Sequence, residues 1–194
     1  IGISIGTRPD CVDDEKLDLI AGYVENYETW VEYGLQSIHG RTLRFINRGH
    51  DYKKFLEAYE KTKSRGIKVC AHVILGLPDE THEMMMETAK ALAKLGVDGV
   101  KIHDLCVMKN TALEKMYEKG GIKLLEEEQY VELVCDFLEF LPPETTIHRL
   151  AGNGLQKLKV APLWLNKKFE VLNKIDRCFE MRGTGQGSAL RAGC

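Results

Sequence analysis

The sequence predicts an α/β protein built on a parallel sheet or part of a (β/α) barrel. Two observations carry that expectation. Short apolar runs alternate repeatedly with longer segments of helical spacing, and Gly or Pro separates them at Gly49, Gly66, Gly96 and Pro142-Pro143. The run Ile67–Leu75 is apolar at nearly every position, as expected of a strand buried on both faces. Right-handed crossovers turn such repeats into a parallel sheet.

Each element follows from local pattern. Ile1–Gly6 alternates apolar and small residues until Arg8-Pro9-Asp10 breaks it, a short strand. Val12–Tyr27 places Leu17, Leu19, Ile20 and Val24 at helical spacing and opens on Asp13-Asp14-Glu15, which suits a helix N-terminus. Thr29–Leu35 is the next strand, and Thr42–Ile46 a short helix closed by Asn47-Arg48-Gly49. Asp51–Arg65 is helical, with Asp51 as cap, Phe55, Leu56 and Tyr59 on its apolar face, and Gly66 as stop. Beyond the Ile67–Leu75 strand, Asp79 or Thr81 opens a helix that runs to Leu95. Gly99–Leu105 is a strand, Ala112–Lys119 and Leu125–Leu141 are helices, and Thr145–Leu150 is the last strand. The chain divides into a partial barrel over 1–141, a strand-and-helix extension over 142–182 and a Gly-rich flexible tail over 183–194.

Composition narrows the function classes. The formal net charge of −2 gives no basic field for sequence-independent nucleic-acid binding. No apolar run approaches the ~18 residues of a membrane span, and no stretch reads as a signal peptide. The cysteines at 11, 70, 106, 135, 178 and 194 lack metal-site spacing. Cys70, Cys106 and Cys135 lie in apolar patterns and read as buried free thiols, which points to a reducing, cytoplasmic location. The first residue is Ile, already inside a strand-like run, so the sequence reads as a piece of a longer protein.

In parallel sheets and barrels, ligands bind at the carboxyl ends of the strands. That rule selects Thr7–Asp10, Gln36-Ser37, Gly76-Leu77-Pro78 and His103-Asp104. Gln36 offers a donor and an acceptor to a ligand, or simply caps a loop. Arg48 suits bidentate capture of a carboxylate, or lies at the surface beside a turn. His72 shares one strand face with Ile74 and Gly76, opposite Val73 and Leu75. A histidine there is most often satisfied by a carbonyl or a carboxylate. Gly76 lets another group approach the backbone closely, as a flat ring would. His103 suits a proton carrier or a substrate contact. Met84-Met85-Met86 point in different directions on a helix and read as core packing.

The segments "ISIGTRPD", "VEYGLQS…TLRFINRGHD", "KVCAHVILGLPDE" and "GVKIHDLCVMKNTAL" resemble successive βα units of radical S-adenosylmethionine (SAM) enzymes. The tail "IHRLAGNG…APLW…NK…RGTGQG" resembles that of a family of uncharacterised radical SAM proteins. The Elongator catalytic subunit and oxygen-independent coproporphyrinogen III oxidase are similar at greater distance. The likeness runs from Ile3 to about Leu113 and resumes from His148 to Gly187.

The resemblance implies a partial (β/α) TIM-like barrel, comprising strands three to six, with a short C-terminal extension. It implies SAM and a [4Fe-4S] cluster as cofactors, the cluster reducing SAM to a 5′-deoxyadenosyl radical. By motif position Gln36 and Arg48 contact SAM, Arg48 at its carboxylate. His72 lies near the ribose, Ile74 and Gly76 beside the adenine, and His103 on the substrate side. The cluster loop, a Cys-x3-Cys-x2-Cys motif in such enzymes, and the Gly-Gly-Glu-like segment are absent from this chain. Gly6 stands where Elongator-like enzymes carry a glutamate, and the coproporphyrinogen oxidases have an aspartate at the place of His72. The chain alone is therefore expected to be inactive. Implied partners are a small-molecule or tRNA substrate, a reductant such as flavodoxin or ferredoxin, and a second copy meeting exposed sheet edges; a membrane is not among them. Two other functions compete. One is a non-catalytic barrel module binding a nucleoside or a partner. The other is a metal-dependent lyase in which His72, His103 and a carboxylate share one ion.

Overall fold

Five strands pair in parallel and in chain order: β1 (Gly2–Thr7), β2 (Glu28–Gln36), β3 (Lys68–Leu75), β4 (Gly99–Asp104) and β6 (Thr146–Arg149). This computed structural model describes residues 1–152 and 156–191. The strand order never reverses, so the sheet is an arc of a TIM-like barrel rather than a doubly wound sheet. Among the described residues the arc does not close, and β1 and β6 are its edges.

The period of two sorts the strand residues onto two faces. Val31, Tyr33 and Leu35 of β2, Val69, Ala71, Val73 and Leu75 of β3, and Val100 and Ile102 of β4 all lie in the hydrophobic core. They share it with Phe55 of α3 (Tyr52–Lys63), Met85 and Leu92 of α4 (His82–Leu95), and Tyr130 and Phe137 of α6 (Glu127–Glu139). Burying each large side chain contributes roughly 1.5–3 kcal/mol, so this face holds the arc together. The opposite face is left for polar chemistry.

Capping explains where the helices begin. Asp51 accepts from Lys54 N at 2.9 Å, Thr81 from Met84 N at 3.3 Å, and Asp13 from Lys16 N at 2.9 Å. The helix expected over Val12–Tyr27 is shorter, since α1 covers only Asp14–Ala21. Leu17 is its one buried residue and Leu19 is 70% exposed, so the apolar spacing exaggerated a face that packs over two turns. The expected Leu125–Leu141 helix starts at Glu127 behind a capping box of Glu126 and Gln129.

Beyond the arc, β5 (Val107–Met108) pairs antiparallel with β7 (Lys159–Ala161), a ribbon the sequence pattern did not suggest. Helices α2 (Gly40–Phe45) and α5 (Ala112–Glu118) are short connections, and α7 (Lys168–Arg182) packs on α6. The segment expected as a free tail is tied down where it is described. Gln186 Nε2 donates to the carbonyls of Pro142 at 2.6 Å and Thr145 at 2.8 Å, and Gly187 N donates to Leu138 O at 3.1 Å. Residues 192–194 of that segment, and Asn153-Gly154 of the family-like tail motif, lie outside the described residues. Among the described residues no helix is long and apolar enough to cross a membrane.

Candidate functional site

The inner face of the arc carries a buried charge cluster. Glu32 is 7% exposed and accepts from Ser4 Oγ at 2.5 Å and from His72 Nε2 at 2.7 Å; it also pairs with Lys101 Nζ. Burial alone would raise its carboxyl, but these donors hold it down to about 2. Glu32 is therefore an anion at neutral pH. It fixes His72 with the proton on Nε2 and leaves Nδ1 as an acceptor.

The His103 ring lies 5.4 Å from that of His72, and Ile74 pairs in register with His103. Burial first, then the neighbouring His72, Arg149 and Lys101, pushes His103 down to about 4. Burial also lowers His72, partly offset by its bond to Glu32. Two neutral imidazoles thus face the concave side of the sheet at neutral pH.

Gln36 and Arg48 form a second group at the carboxyl edge. The β2–β3 register slips between Gly34 and Gln36, and Gln36 adopts φ 71°. A left-handed glutamine costs on the order of 1 kcal/mol, a strain that functional sites tend to retain. The bulge aims the side chain back over Gly34, where a Cβ would lie 2.7 Å from Gln36 Nε2. Arg48 converges on the same glycine, donating to Gly34 O at 2.7 Å and to His50 Nε2 at 2.9 Å. Burial and the nearby Arg8 lower Arg48 from its usual value, yet among the described residues no carboxylate pairs with it. A cleft of about 600 Å³ runs past Arg48, Asp10 and Lys54.

Gly76 admits a close approach to its backbone, as a glycine there allows. Its φ of 80° demands glycine, and the space a Cβ would take is filled by Leu125, whose Cδ1 lies 2.7 Å away. The close approach that the glycine permits on this side is made by a leucine of the same chain. Gly76 N meets Met85 Sδ at 3.3 Å, and Gly76 lines a separate cavity of about 420 Å³ with Pro78, Ile122 and Leu125.

The structure therefore brings Gln36 to Arg48, and His72 to Ile74 and His103, while Gly76 stands apart. Glu32, Lys101 and Ser4 were not singled out from sequence. The alternation that puts Lys101 on the face of His103, and Glu32 on that of Gln36, was the available signal. Among the described residues, no three His, Cys, Asp or Glu side chains group as metal ligands. Glu32, the carboxylate nearest His72, is already engaged by Ser4 and Lys101. Cys70 and Cys135 are buried and Cys106 half-buried, all free thiols.

An open parallel arc with polar groups on its inner face and carboxyl edge defines a partial TIM-like barrel. The radical SAM superfamily profile matches residues 1–92, and the radical SAM C-terminal domain profile matches residues 97–181. The chain belongs to the radical SAM superfamily. An uncharacterised protein of Methanocaldococcus jannaschii is 50% identical over 190 residues, which cover 97% of this chain and 59% of the relative. The chain thus spans about three fifths of the length of that curated relative. Among solved structures, Elp3 from the archaeon Methanocaldococcus infernus superposes with a TM-score of 0.78 at 25% identity, covering 96% of this chain and 43% of that one. Coproporphyrinogen III oxidase (HemN) from Escherichia coli gives a TM-score of 0.52 at 22% identity over 69% of this chain and 30% of that one, a likeness of fold.

Proposed function

We propose that this chain forms the SAM-facing and substrate-facing part of a radical SAM enzyme. The observation that carries the proposal is Arg48, a half-buried cation without a carboxylate partner among the described residues, held at the carboxyl edge beside the strained Gln36. A carboxylate-bearing ligand supplies the charge that Arg48 lacks, and the Gln36 amide offers a donor and an acceptor to the same polar end. His72, fixed by Glu32, presents Nδ1 as an acceptor for a ribose hydroxyl, with Ile74 as apolar wall for the base. Gly76 serves through its backbone conformation and its contact with Leu125. His103, neutral and next to His72, faces the substrate.

SAM bound to a reduced [4Fe-4S] cluster supplies hydrogen-abstracting power in this superfamily. No group of described residues fits the cluster, so its ligands are proposed to come from sequence outside these 194 residues. The role of this chain is to bind, orient and enclose. The longer protein, reconstituted anaerobically and reduced, is expected to release 5′-deoxyadenosine from SAM. An intact cluster with no 5′-deoxyadenosine formed would defeat the proposal.

A further inference from the structure

A further cavity, of about 330 Å³, opens where the tip of β4 meets the β5/β7 ribbon. His103 and Asp104 line it from β4, Arg149 from the end of β6 and Lys159 from the start of β7, with Met108 and Leu165 as apolar wall. The ribbon builds this site. Lys159 pairs with Met108 across it, which carries a cation from the C-terminal extension to the carboxyl edge of the arc. Asp104 accepts from Gly152 N at 3.1 Å, which holds the turn after β6 against β4.

The charges in the cavity do not balance. Lys159 is 9% exposed and Asp104 8% exposed. Lys159 acts on Asp104 through space, yet the two do not reach ion-pair distance. Among the described residues neither Lys159 nor Arg149 has a carboxylate partner. Two cations against one carboxylate leave the cavity positive with His103 neutral. An anion between the two cations balances them, and charge-assisted bonds from two converging cations are the strong kind.

We propose that this cavity is a binding site for a small organic anion, whose carboxylate or phosphate lies between Arg149 and Lys159 and whose apolar body lies along Met108 and Leu165. Calling the ligand the substrate rests on the radical SAM function proposed above, since the site adjoins His103. The cavity volume and the net charge of −2 favour a small molecule over a nucleic acid.

The test is a titration of the ¹⁵N-labelled chain followed at the amides of Gly152, Cys106 and Leu165. The probes are inorganic phosphate, 4-phenylbutyrate, its neutral analogue 4-phenylbutyramide, and a single-stranded RNA octamer. Phosphate and phenylbutyrate are expected to give saturable shifts at these amides, and phenylbutyramide none. Lys159→Met and Arg149→Gln are each expected to weaken phenylbutyrate about tenfold. Lys94→Met, exposed on the last turn of α4 and outside the cavity lining, should leave it unchanged. Equal response to the acid and the amide would overturn the proposal, as would unaltered affinity in both cavity variants or preferential binding of the RNA. The acid–amide comparison on the unaltered chain decides the matter even if a variant does not fold. These titrations need neither cluster nor SAM, so their failure is distinct from a failure to form 5′-deoxyadenosine.

Discussion

Replacing Glu32 by Gln removes the charge at the centre of the inner-face cluster while keeping its shape. Three donors, Ser4, His72 and Lys101, converge on this carboxylate, and the Lys101 side chain is only 17% exposed. The carboxyl falls from 4.5 to about 2 on folding. At about 1.4 kcal/mol per pKa unit, that depression corresponds to on the order of 3 kcal/mol of stability. The loss expected when one partner of a buried pair is removed is of similar size, roughly 3–5 kcal/mol. The sign follows from linkage: a depressed acid stabilises the fold above its unfolded value and loses that contribution as pH falls. Urea unfolding at pH 7 should therefore show E32Q less stable by about 3 kcal/mol. The gap should narrow progressively as pH falls from 4.5 towards 2. Removing the orphaned cation as well, in E32Q/K101M, should restore most of the loss. A loss below about 0.5 kcal/mol at pH 7, the level of an ordinary surface change, would refute the reasoning.

Two further outcomes follow from the same geometry. Gly76→Ala meets both a left-handed backbone and Leu125, so it should lower stability by about 2 kcal/mol or more, read by thermal unfolding. Adding Leu125→Ala should not rescue it, because the backbone strain remains; full recovery would show that strain to be unimportant. His103 is depressed from 6.5 to about 4, so it contributes stability above pH 6.5 that is lost as pH falls through 4. An NMR titration of its ring should give a midpoint near 4, and a midpoint at or above 6.5 would contradict the burial that causes it.

Much of this fold was legible because its strands announce themselves one by one. Ile67–Leu75 is apolar on both parities, and Asp51 and Thr81 cap the helices that the pattern assigns to them. Gln36, His72 and His103 follow from placing each at the end or on the face of a parallel strand, whereas Arg48 comes from the loop between α2 and α3 and its approach to Gln36 is a contact of the fold. Other features depend on contacts across distant positions. Glu32 and Lys101 meet across 69 residues, and nothing local in either strand marks the pairing. Leu125 looks like the first residue of a helix, whereas it serves as a plug over Gly76. The ribbon joining Val107 to Ala161 has only two or three residues per strand, too few for any periodicity to register. Lys159, one of several lysines in the extension, gains meaning only once that ribbon sets it beside Asp104 and His103.

The central claim is that Gln36 and Arg48 hold SAM at the carboxyl edge of the arc. It is tested most directly by equilibrium dialysis of labelled SAM against the longer protein, reconstituted anaerobically, with and without Arg48→Gln. Loss of a charge-assisted bond to the SAM carboxylate should weaken binding about tenfold or more. Lys94→Met, on the last turn of α4 ahead of the start of β4 and so at the opposite edge, should bind as the unaltered protein does. Unchanged SAM affinity in Arg48→Gln, with the fold and cluster intact, would contradict the account.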